Sequence, residues 1–277
     1  MTQPAAGLGR ARYGGRARSG SQTLHAEWTK LRTLASTGWL LLGAAALTIA
    51  VSVTADAAAT CPSGGCQADP AKLSLTGVQV GQVMVAVVAV LAVGNEYSTG
   101  MIKVTLAAMP RRLTVLAAKA ALVAGLVLAA GAVAVLASVL AGRLILPGHG
   151  FTAAHGYLPL SLGNGPVLRA ACGSVLYLAL IALLSLGVAI AVRETAVAIG
   201  FVLGLLYVFP VVTSVVGNQH WQRHLEQTGP MTAGLYIQAT ANLRSLPLTP
   251  WEGLGVLALW AAGALIIGAL LFRFRDA

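Results

Sequence analysis

The chain has 277 residues, of which 57% are hydrophobic and only 9% charged, with a formal net charge of +10. A water-soluble domain ordinarily carries about 25% charged residues, so the composition excludes a soluble globular protein. No nucleic-acid-binding module accompanies the basic excess, which therefore reads as a membrane-topology signal and not as a footprint for RNA or DNA.

Residues 1–20 are rich in Gly, Arg and Ala without an apolar period, and are expected to form a disordered basic cytoplasmic tail. Its arginines can touch anionic membrane lipid. Residues 21–277 are expected to form one membrane domain. Within it, Ser21 to Leu34 place Leu24, Trp28, Leu31 and Ala35 along one face, with Glu27, Lys30 and Arg32 on the others. Such asymmetry predicts a short helix lying in the membrane interface.

Crossing a hydrocarbon core of about 30 Å takes about 20 apolar residues, and six charge-free runs satisfy that length. The first span is expected over about 36–55, between Arg32 and Asp56. Ala55-Asp56-Ala57 superficially resembles a signal-peptidase site, but a basic region of more than 30 residues and a run long enough to span favour a retained helix. Next, Cys61-Pro-Ser-Gly-Gly-Cys66 is a turn-rich loop. On the oxidising side of a membrane it favours a Cys61–Cys66 disulfide over free thiols.

The second span is expected over 74–94. It is followed by Asn95-Glu96-Tyr97-Ser98-Thr99-Gly100-Met101-Ile102-Lys103, continuing to Met109-Pro110-Arg111-Arg112. Asn95, Ser98 and Thr99 are candidate caps. Met101, Ile102, Leu106 and Met109 give a short helix an apolar surface, and Pro110 stops it. A helix too short to cross and too apolar for water must dock, on the interface or on a soluble partner.

Further spans are expected over 114–141, 169–192, 196–216 and 253–272, with Cys172 as a packed residue of the fourth. Only Arg193-Glu194-Thr195 join the fourth to the fifth. The segment 217–252 is long, with a candidate helix from Met231 to Leu243 bounded by Pro230 and Pro247 and no depth legible from its residues. His220 and His224 are four apart with Glu226 nearby, but the expectation there is an ordinary polar loop and no metal site.

With the N-terminus in the cytoplasm, 13 of the 18 Lys and Arg fall on the inner side, which predicts both termini inside. Trp39 and Trp251 suit the two interfaces. Gly77-x-x-x-Gly81 and Gly200-x-x-x-Gly204 permit close helix approach. The even apolar content of the runs disfavours a membrane β-barrel. There is no G-x-x-x-x-G-K-[ST], H-E-x-x-H or G-x-S-x-G pattern, so no nucleotide site or hydrolase chemistry is expected on this chain, and no cofactor. No Asp or Glu lies inside the six runs, and Lys119 is near enough to the inner edge to snorkel. Transport driven by an ion gradient usually needs such acids or broken helices.

The stretches SQTLHAEWTKLRTLASTGW and GNEYSTGMIKVTLAAMPRRLTVLAAKA resemble type-2 ATP-binding-cassette (ABC) transporter permeases, especially the actinobacterial kind. That resemblance implies an all-α, six-span permease in the plasma membrane. It implies an N-terminal interfacial helix, a cytoplasmic coupling helix between spans two and three, and an outer helical segment before span six. It further implies pairing with a second permease chain as homo- or heterodimer, two separate ATPase subunits, and export of a hydrophobic or amphiphilic substrate. Carried onto this sequence, the ATPase contact falls on Glu96, Tyr97, Met101, Ile102 and Lys103. Arg193 and Glu194 form a secondary contact, and Glu27, Trp28 and Lys30 lie in the interfacial helix. No residue is implied to be catalytic. The Cys61/Cys66 loop stands outside the family pattern. The alternatives are an ion-gradient-driven carrier, a lipid-modifying membrane enzyme and an envelope assembly protein.

Overall fold

The computed structural model describes residues 35–61, 68–98, 112–153, 157 and 160–274. Apolar runs in lipid must satisfy every backbone amide internally, and a helix does so within one segment. The described residues accordingly hold helices and no strand. They are α1 (Ala35–Ala58), α2 (Pro70–Ser74), α3 (Val78–Ser98), α4 (Arg112–Ile145), α5 (Gly165–Val192), α6 (Thr195–Val215), α7 (Gln219–Thr228), α8 (Pro230–Gly234) and α9 (Pro250–Phe274). Short 3-10 turns cover Leu146–His149, Leu235–Gln238 and Leu243–Ser245. Six of these segments are long and apolar enough to cross a membrane, which makes this a multi-pass membrane protein.

Five of the six span-forming segments are built on a single long helix. The second is broken. Asp69 caps α2 by accepting from Ala71 N and Lys72 N at 3.1 and 3.3 Å, Pro70 opens it, and a turn at 75–77 precedes α3. Up-and-down connectivity gives the bundle two ends. One carries the Arg193-Glu194 turn; the other, here called the capped end, carries α2, the 146–164 connection and 216–249.

α3 and α5 form the buried centre, while α1, α4, α6 and α9 are mostly peripheral. α5 packs against α9, α3 and α4. The α5–α9 contact is backbone on backbone: a Cβ on Gly187 would stand 2.5 Å from Ala264 C and 2.6 Å from Leu265 N. Of the two small-residue pairs, Gly77 and Gly81 do allow close approach, since a Cβ on either would collide with Thr48 of α1. Gly200 and Gly204 have nothing within 4 Å and face outward with Phe201 and Val208.

The connection 217–249 departs from the expected single helix over Met231 to Leu243. No residue of α7 is fully buried, whereas α8 and Leu235–Gln238 fold into the bundle as a plug, and the chain turns extended at Ala239. Pro230, Met231, Ala233, Leu235, Ile237 and Gln238 are all buried. The end of α7, just before the plug, also reaches far along span six. Trp260, ten residues into α9 and so about 15 Å along its axis, donates its indole N–H to Thr228 O at 2.9 Å.

Candidate functional site

The apolar faces of α5, α6 and α9 do not close on one another. Between them runs a cleft of about 680 Å³. Leu184, Val188 and Val192 line it from α5, Phe201 and Leu205 from α6, and Trp260, Gly263 and Ile267 from α9. Gln227 and Thr228, at the end of α7, are its polar members. Their positions are fixed: Gln227 Nε2 donates to Pro247 O at 3.1 Å, and the Trp260 ring packs edge-to-face on Phe209 at 6.3 Å. An apolar cleft with polar groups among its lining suits a molecule with a hydrocarbon body and a polar head. Gly263 has nothing within 4 Å of a Cβ position, so Gly263→Phe is expected to leave the fold intact and fill the cleft. Binding of a fluorescent amphiphile to the detergent-purified protein should weaken at least about tenfold if the cleft holds it, since about 1.4 kcal/mol of lost binding suffices for that factor.

Above the cleft the plug is held by a buried polar node. Gln82 of α3, fully buried, accepts from the Tyr177 hydroxyl on α5 and donates from Nε2 to Tyr207 Oη (3.4 Å) on α6 and Met231 Sδ (3.2 Å) on α8. Tyr207 in turn donates to Gln79 O at 3.0 Å. One amide thus ties three spans to the plug. Three further contacts hold its far side: Gln238 Nε2 to Ser174 Oγ (3.1 Å), Arg169 Nη2 to Ala239 O (2.5 Å), and Asp69 accepting from Thr240 N, Thr240 Oγ1 and Ala241 N. At the joint, Tyr236 donates to Glu226 Oε2 at 3.2 Å; burial first, and then that carboxylate, hold its phenol well above the ordinary tyrosine range. The satisfied Gln82 node specifies a single packing arrangement, whereas on the far side Gln238 Oε1 and Arg169 Nε are buried without a hydrogen-bond partner.

Charge-free runs are blind to these residues, because Gln, Ser and Tyr count as uncharged. They also misplaced an acid. α1 continues through Asp56 to Ala58, so Asp56 lies inside a span-forming helix and is fully buried, correcting the expectation that no Asp or Glu does so. Its Oδ1 accepts from Ser74 Oγ at 3.1 Å, while Oδ2, 3.0 Å from where a Gly142 Cβ would stand, has no hydrogen-bond partner. Lys119 is buried, and its Nζ donates to Ala92 O of α3 at 3.1 Å instead of snorkelling to an edge. Cys172 is exposed on α5, not packed; in a span apolar all round, a thiol carries no signal of which face it occupies.

At the opposite end, Arg193 terminates α5 in the left-handed region (φ 65°), and Glu194 is the N-cap of α6 with an exposed side chain that caps nothing. Glu96 and Tyr97 lie on the last turn of α3, with only their backbone described. Met101, Ile102 and Lys103, the interfacial-helix residues Glu27, Trp28 and Lys30, the tail 1–20 and Cys66 lie outside the described residues. Cys61 is disulfide-bonded, and its amide donates to His149 O at 2.9 Å. Among the described residues no group of three or more His, Cys, Asp or Glu is placed to hold a metal. No protein-family model matches the chain, and no curated protein matches it.

Proposed function

We propose that this chain is the permease half of an ABC exporter for hydrophobic or amphiphilic molecules, powered by ATP hydrolysis on separate subunits. The observation that carries this reading is the apolar cleft under the plug, with polar groups among its lining. In this reading the Arg193-Glu194 end faces the cytoplasm of a plasma-membrane protein with both termini inside. Two ATPase subunits grip Glu96 through Met109, with Arg193 and Glu194 as the secondary contact. The outward face of α6 carrying Gly200 and Gly204 pairs with a second permease chain.

α3 offers the mechanical link. It runs unbroken from Val78 to Ser98, so a push on Glu96 is delivered along a rigid rod to Gln82, 14 residues or about 21 Å away. Displacing Gln82 strains its bonds to Tyr177, Tyr207 and Met231 together, loosening the plug over the cleft. The chain itself performs no chemistry and needs no cofactor.

Asp56 favours a second reading, a carrier driven by an ion gradient, because an acid buried within a span marks a functional position by default. Asp56→Asn separates the two. The amide keeps an acceptor for Ser74 and nearly the same volume, so an ATP-driven permease should transport as before in inverted vesicles given ATP and a protonophore. Transport that stops with the protonophore, and is lost in Asp56→Asn, would replace the ABC reading with the carrier.

A further inference from the structure

α7 (Gln219–Thr228) has no fully buried residue, packs one side on α6, α8 and α9, and has both ends pinned: Asn218 Oδ1 accepts from His220 N at 2.9 Å, and Thr228 O accepts from Trp260 at its other end. Helical residues four apart share a face, and the exposed rings of His220 and His224 stand with centres 4.5 Å apart at 63°. Two imidazoles bound at adjacent positions of one metal ion, each with metal–nitrogen distances of about 2.0–2.1 Å, place their ring centres roughly 4.5 Å apart. We propose that His220 and His224 form a two-imidazole chelate for a divalent transition-metal ion on the capped end of the protein.

The ligand chemistry narrows the ion. Imidazole selects against Ca²⁺ and Mg²⁺, which take oxygen ligands, and the stability order of first-row metals puts Cu²⁺ ahead of Ni²⁺ and Zn²⁺. No third ligand comes from Glu226, which is turned to Tyr236, so water completes the coordination shell. Two histidines at this spacing on a helix are a recurring metal-binding element, and a preformed backbone removes the ordering cost that a loop would carry. Arg223, three residues after His220 and also exposed, is a like charge beside the ion and weakens the site. The site does not depend on the transport reading.

Trp221, whose ring centre is 6.5 Å from that of His224, reports occupancy through quenching by Cu²⁺. The full-length protein, purified in detergent through a tag without histidine, would be titrated with Cu²⁺ by Trp emission and by calorimetry. One ion per chain is expected. Even outer-shell changes at metal sites cost 10–100-fold, so loss of either ligand in His220→Gln or His224→Gln should weaken binding at least about tenfold. Arg223→Gln should bind at least as tightly as the parent, and Trp221→Phe should keep the calorimetric signal while losing quenching. All four substituted residues are outside the core, so circular dichroism of each variant should match the parent. Absence of saturable binding, or equal affinity in the His220→Gln/His224→Gln double variant, would overturn the proposal.

Discussion

Gly187→Val is expected to abolish the folded bundle while leaving membrane insertion intact. Without a hydrophobic driving force between helices in lipid, α5 and α9 hold together by close packing at small residues, and there is no room at this one. A Cβ on Gly187 would meet backbone atoms of Ala264 and Leu265 at 2.5–2.6 Å, and a Cβ on Gly268 would meet Gly187 O at 2.7 Å. Backbone cannot rotate aside as a flexible side chain can, so α9 must move as a whole. α9 also carries Trp260, and Leu257 and Ala261 in the core, so the displacement opens the cleft wall and releases the plug. Overpacking of an ordinary core costs about 1–3 kcal/mol; separating two helices over their length exceeds that and approaches the 5–15 kcal/mol that holds a typical protein folded. Size-exclusion profiles in mild detergent should show Gly187→Val aggregated and Gly187→Ala monodisperse with a lowered melting midpoint. Gly263→Ala on the same helix, where a Cβ meets nothing, should be indistinguishable from the parent. A monodisperse Gly187→Val protein of unchanged midpoint would mean that α5 and α9 do not meet as described.

The second large effect lies at the last turn of α3. Replacing Glu96 and Met101 together, as Glu96→Ala and Met101→Ala, is expected to cut substrate export by more than about tenfold, the factor that about 1.4 kcal/mol of lost coupling energy produces, while ATP hydrolysis by the partner subunit continues. In the proposed exporter, hydrolysis is chemistry of the partner and only the transmission passes through this chain. Because Glu96 rides on the last turn of α3, the loss should appear as uncoupling and not as misfolding, with insertion, melting midpoint and the Cys61 disulfide unchanged. Export equal to that of the parent would remove the coupling assignment.

Much of the scaffold was legible because helix length and charge placement in a membrane obey one strong constraint, and six runs became six span-forming helices. What escaped has common physical causes. The break before α3 hides inside an uninterrupted apolar stretch, and only Asp69-Pro70, a cap followed by proline, marks it. Asp56 was treated as the end of a run, although one acid does not stop a helix whose neighbour supplies Ser74. Gln82, Tyr177, Ser174 and Gln238 meet across distances of 64 to 149 residues in chain order, counting the bond from Gln82 to Met231, and no local pattern encodes such meetings. Trp260 gave no hint that the 217–249 segment descends to it. Gly77 and Gly81 lie at a helix contact while Gly200 and Gly204 do not; identical spacing cannot say which pairs find a neighbour within one chain.

In the proposed exporter a separate ATPase grips the segment after the second span. The most direct measurement of that grip is to solubilise the tagged full-length chain in mild detergent and assay what is purified with it. Expected is a polypeptide that hydrolyses ATP, one for each permease chain, retained by the parent and depleted in a variant with Tyr97, Ile102 and Lys103 replaced by alanine. Recovery of the chain without any nucleotide-hydrolysing partner, while its vesicles still move an amphiphile when only an ion gradient is supplied, would contradict it.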